Sequence, residues 1–156
     1  MTRFVVRGLD PAPFRPLYGL SEAALAAHGV VRMVADAKPG FPCRVTLDDV
    51  EPGERVLLLN YEHLPVATPY RSRHAIFVRE GAETAAVVED RLPEQLARRL
   101  LSVRAFDGAG MMVDAEVLEG AAAEPLVRNW LGRKDVAYLH AHNARRGCFA
   151  AGIERV

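Results

Sequence analysis

The chain has 156 residues, with 20 basic and 20 acidic side chains and no net charge, so it is long enough for one domain and too short for two cores. A domain this size buries roughly 70% of the surface its unfolded chain exposes and needs no metal or disulfide staple to fold. The even charge balance argues against a general nucleic-acid binder or a polybasic membrane adhesin, and no uncharged stretch exceeds nine residues. Arg3 and Arg7 flank only three apolar residues, which is not the pattern of a secretion signal, so the expected setting is the cytoplasm with both cysteines reduced.

In chain order, residues 3–7 read as a strand closed by Gly8. Ser21 caps a helix over 22–28 that stops at Gly29. Strands follow at 30–36, 43–47, 55–63 and 71–79, separated by Pro39-Gly40, Pro52-Gly53 and the Pro65–Pro69 loop. The unbroken Val56-Leu57-Leu58-Leu59 suits a central strand covered on both faces. Pro93 opens a second helix with Leu96, Ala97, Leu100 and Leu101 inside. A hairpin joins 102–107 to 111–118 around Gly108-Ala109-Gly110, and a third helix runs from near Pro125 to Gly132. Strands at 136–142 and 148–155 end the chain. Strands joined mostly by short turns, with helices out of regular alternation, predict a single α+β domain over 1–156: a largely antiparallel sheet with about three short helices.

Residues 138–148 carry the densest set of functional side chains. Strand alternation puts Tyr138, His140 and His142 on one face, and Ala137, Leu139 and Ala141 on the packed face. A His-x-His pair about 7 Å apart along a strand suits a metal, but the sequence supplies no third ligand, so His140 and His142 are read first as partly exposed histidines of a polar groove and only second as metal ligands. Cys43 beside Arg44 has the makings of a nucleophile, yet its alternation with Val45 and Leu47 predicts a buried, inert thiol, with Arg44 on the opposite face beside Thr46. Glu62 and His63 end one strand on opposite faces, where either could move a proton or orient a partner. His74 shares a face with Ile76 and Val78 and is expected as a core or rim histidine. Arg145 and Arg146, in a turn ended by Gly147, can clamp an anion or stand in solvent. No phosphate loop, nucleophile elbow or zinc-protease motif is present.

Five segments, GFPCRVTL (40–47), LLLNYEH (57–63), PYRSRHAIFVRE (69–80), LLSVRAFD (100–107) and HNARRGCFAAGIER (142–155), resemble the bacterial family called domain of unknown function 1203. The resemblance spans nearly the whole chain and implies no activity, substrate or cofactor. The family's familiar form has Gly-Pro where this chain has His74-Ala75, which argues against a family-wide catalytic role for His74.

The leading expectation is therefore a pocket for a small anionic or carboxylate-bearing molecule. Arg44, Tyr70, Arg71, Asn143, Arg145 and Arg146 would bind it, and Glu62, His63 and His142 would handle protons. Cys43 and Cys148 are a candidate thiol pair, and no cofactor, nucleic acid or membrane is expected. The rival expectation is a non-enzymatic interaction module, with the homodimer as its commonest form.

Overall fold

Ser21 does cap the first helix: its Oγ accepts the Ala24 N–H at 3.1 Å, and Gly29, at φ 70°, turns the chain out again. A computed structural model covers residues 1–156 and assembles an α+β domain from nine strands and three short helices. The strands are β1 (Phe4–Arg7), β2 (Val31–Val34), β3 (Arg55–Leu64), β4 (Ser72–Arg79), β5 (Val87–Glu89), β6 (Leu100–Phe106), β7 (Met112–Glu119), β8 (Tyr138–Asn143) and β9 (Phe149–Arg155). The helices are α1 (Glu22–Ala27), α2 (Glu94–Ala97) and α3 (Glu124–Leu131). No helix is long and apolar enough to cross a membrane.

The strands form two antiparallel sheets, a large one in the order β5-β1-β9-β8-β6-β7 and a small one, β2-β3-β4. One face of the large sheet presents Phe4, Val6, Val103, Leu139, Ala141 and Ile153 to Val127, Trp130 and Leu131 of α3 and to Leu96 of α2. Contrary to the expectation that a chain of this length holds one core, the small sheet builds a second apolar cluster, where Leu57, Leu59, Ile76 and Val78 meet Phe14 and Leu25. β3 is the middle strand of the small sheet, with Val56, Leu57 and Leu59 buried. Leu58 is only half-buried on the cleft wall, so the run is not covered on both faces as its lack of polar alternation suggested.

Two elements differ from the sequence expectation. Residues 43–47 form a turn rather than a strand. Cys43 N–H donates to the Asp48 carbonyl at 3.0 Å, Leu47 N–H returns to the Cys43 carbonyl at 3.1 Å, and Leu47 takes φ 56°. The turn is sewn outward as well, with Arg44 N–H on the Phe77 carbonyl (3.0 Å) and Leu9 N–H on the Arg44 carbonyl (2.8 Å). Cys43, Val45 and Leu47 are all buried, but so is Arg44, at 1% exposure, because a turn does not alternate its faces. The second difference is β5, an edge strand on β1 where no strand was expected. In addition, α2 ends at Ala97, and Leu100 and Leu101 open β6.

Gly8 is where the turn is pressed against β1. A Cβ there would lie 1.9 Å from the Val45 carbonyl oxygen, which already accepts the Ala86 N–H at 2.8 Å. Gly8→Ala is expected to destabilise by about 1–3 kcal/mol through overpacking against backbone, read as a lower urea midpoint. An unchanged midpoint would mean the turn is free to shift.

Candidate functional site

Four of the five histidines gather in one cluster, two from each sheet. β8 supplies His140 and His142 on the face opposite Leu139 and Ala141, as its alternation predicts. β3 and β4 pair Tyr61 with His74, then slip register before Leu64 meets Ser72; this bulge carries His63 beside His74. His63 Nε2 and His74 Nδ1 are 2.6 Å apart, and Phe149 stacks on the His63 ring at 4.8 Å. One nitrogen from each of His63, His140 and His142 lies within 4.8 Å of the other two.

Burial decides the protonation state. It pushes His63 down to about 3, with the neighbouring imidazoles of His142, His140 and His74 acting in the same direction. Burial followed by the Arg104 charge lowers His140 to about 4. Burial also takes His142 to about 3, although its hydrogen bond to the Gly147 carbonyl opposes the shift. His74 is lowered by burial and by Arg104. At neutral pH these rings are uncharged, with lone pairs available. His142 Nδ1–H donates to the Gly147 carbonyl at 2.9 Å, leaving Nε2 as the acceptor nitrogen. Three ring nitrogens are buried with no hydrogen-bond partner: His63 Nδ1, His140 Nδ1 and His142 Nε2.

His74 also belongs to the wall of a cleft of about 780 Å³. Five arginines, Arg44, Arg98, Arg99, Arg145 and Arg146, line that cleft with a single glutamate, Glu119. Arg44 sits deepest. It donates from Nε to the Phe149 carbonyl (2.8 Å), from Nη1 to the Pro42 carbonyl (2.6 Å) and from Nη2 to Cys148 Sγ (3.0 Å). It has no carboxylate partner, and burial lowers its affinity for the proton. Arg145 and Arg146 are exposed on the β8–β9 turn and make no ion pair. Arg99 and Arg98 are instead paired with Asp49, at 2.6 and 3.5 Å.

The cleft thus unites Arg44, Asn143, Arg145, Arg146 and Cys148 from the expected site. Arg71 and Tyr70 are not part of it. Arg71 grips Glu62 with two hydrogen bonds of 3.1 and 3.2 Å in an exposed pair, and Tyr70 packs edge-on against Phe106. Glu62, also 3.6 Å from Arg73, is held by arginines on the outer side of the bulge and serves neither His63 nor the cleft. Arg44 does not stand on a face with Thr46 as strand geometry requires, because the turn folds it inward. Both thiols are free. Cys43 is fully buried and accepts the Arg79 N–H at 3.2 Å, whereas Cys148 lies on the cleft and meets Arg44 and Asn143. The alternation that made His74 look like a core residue hid its role, since its neighbour His63 comes from the paired strand β3 and not from nearby in sequence. Arg98 and Arg99 carry no local signal that separates them from solvated helix-end charges.

Residues 40–155 match the model of a family described as protein of unknown function (DUF1203). No curated protein and no solved structure matches the chain.

Proposed function

Since the chain belongs to that family of unknown function, whose description assigns no activity, we propose from the geometry that it binds a small anionic molecule in the arginine-lined cleft. One observation carries the reading: Arg44, Arg145 and Arg146 border the same cleft, and none of them has a carboxylate partner. Guanidinium groups brought together repel until an anion is bound, so a phosphate or carboxylate gains charge-assisted, often two-pronged, hydrogen bonds there. The volume falls in the range of small-molecule sites, and Phe41, Leu58 and Phe77 give the ligand's carbon skeleton an apolar wall.

The test is thermal unfolding in the presence of phosphate, sulfate and a tricarboxylate. A ligand that binds only the folded state at a hundredfold excess over its Kd adds about 2.7 kcal/mol. Arg145→Ala combined with Arg146→Ala is expected to abolish that gain without lowering the unliganded midpoint, because both side chains are solvent-exposed. Arg71→Ala is expected to keep the full gain, since Arg71 is committed to Glu62 away from the cleft. Equal ligand response in the double variant and the parent would refute the reading.

A further inference from the structure

We propose that His63, His140 and His142 form a three-histidine binding site for a transition metal of the zinc class, oriented from behind by His74. This inference is carried by the histidine cluster alone and does not depend on what occupies the arginine cleft.

Three independent features converge. The first is donor geometry: one nitrogen from each ring lies within 4.8 Å of the others. Zinc–imidazole bonds of about 2.0–2.1 Å put tetrahedral ligand nitrogens about 3.4 Å apart, so closure takes an inward ring movement of roughly an ångström. The second is the set of buried nitrogens without partners, one on each of these three rings. A buried polar atom left unpaired costs about 1–3 kcal/mol, and one such nitrogen on each of three neighbouring rings is hard to retain unless something satisfies it. The third is the outer layer. His142 Nδ1–H is pinned by the Gly147 carbonyl, and His63 Nε2 is engaged by His74, so each of these rings has one nitrogen anchored and the other free. That is how protein metal sites fix ring orientation and tautomer.

Chemistry selects the metal class. The donors are neutral imidazoles, which suit zinc, copper, nickel and iron and are poor ligands for magnesium or calcium. No carboxylate belongs to the triad, and Cys148 is taken up by Arg44 and Asn143. Three protein ligands leave a fourth position for water or another small donor, the usual arrangement where zinc is to act on something. Packed neutral histidines that merely fill space would pair their nitrogens with one another. Only His63 and His74 do so here.

Protein stripped with a chelator and then dialysed should bind Zn²⁺ at one equivalent, with a higher unfolding midpoint. Co²⁺ in its place should give the intense visible absorption of a four-coordinate site. His140→Ala and His142→Ala are each expected to abolish the cobalt band. His74→Ala should keep one equivalent while weakening affinity about 10–100-fold, as loss of an orienting partner does. His28→Ala, at the exposed fifth histidine, should change nothing. Should a variant fail to fold, the parent's cobalt spectrum and stoichiometry still decide the matter. Absence of one-equivalent binding by the parent, or a band that survives loss of His140 and His142, overturns the site. Neither outcome touches the phosphate and sulfate response, which depends on Arg145 and Arg146.

Discussion

Metal-free protein is expected to lose stability steeply as the pH falls from about 6.5, by on the order of 1 kcal/mol per pH unit for each of His63, His140 and His142. Folding holds these rings neutral, with the folded values lowered to about 3, 4 and 3. In the unfolded chain each ring takes up a proton near the ordinary imidazole value. Below that value the unfolded state binds more protons than the folded one, so its free energy falls and the folded state is undermined. The contribution is therefore intact above pH 6.5 and is lost progressively toward pH 3–4. The paired carboxylates Glu80, Asp90 and Asp135 are also shifted down, but their effect enters only near and below their ordinary range around pH 4. A loss already visible between pH 6.5 and 5 thus reports the histidines. Urea midpoints measured at pH 7.5, 6.0 and 5.0 check this, and a flat profile across that interval would contradict buried neutral rings. Bound zinc should steepen the same transition, because protons compete with metal for the lone pairs.

Arg44→Ala is expected to destabilise the fold by about 2–4 kcal/mol. Arg44 is 1% exposed and holds the carbonyls of Pro42 and Phe149 together with Cys148 Sγ. Truncation leaves two buried carbonyls without donors, at about 1–3 kcal/mol each, and opens a cavity, while recovery of the guanidinium's desolvation offsets part of this loss. Arg44→Lys should recover little, because a single ammonium on a flexible stem cannot reproduce a planar fork meeting three acceptors. Equilibrium unfolding in urea gives the difference directly. Equal stability of the lysine variant would show that charge alone, rather than the fork, joins the 43–47 turn to β9.

Strand periodicity made much of the scaffold legible. Leu139 and Ala141 against His140 and His142 told which side of β8 faces a core and which carries polar rings, and the structure keeps that division. The β6–β7 hairpin, α1 with its Ser21 cap, and the central place of β3 were readable for the same reason: each depends on residues a few positions apart. The convergence of distant segments was not readable. His63 meets His140 and His142 only because the two sheets pack together, and nothing in Tyr61-Glu62-His63 announces that contact or the register slip beside it. Arg44 and Arg71 looked alike as lone arginines in the sequence, and their fates diverged on tertiary partners, the Phe149 carbonyl for one and Glu62 for the other. The 43–47 segment misled because Cys43, Val45 and Leu47 imitate a strand, whereas the positive φ at Leu47 belongs to a turn.

The strand order of the large sheet has a bearing on how the chain assembles as it is made. β9 follows β1 by some 140 residues, yet it lies between β1 and β8 and pairs Phe4 with Arg155. The small sheet is built from residues 31–79 in sequence order, so it can close early on local contacts. β1, already paired with β5 on one edge, must keep its other edge open until some 140 residues later β9 fills it. Until then Val5 and its neighbours form an open strand edge, the kind of edge that pairs wrongly when long-range closure is slow.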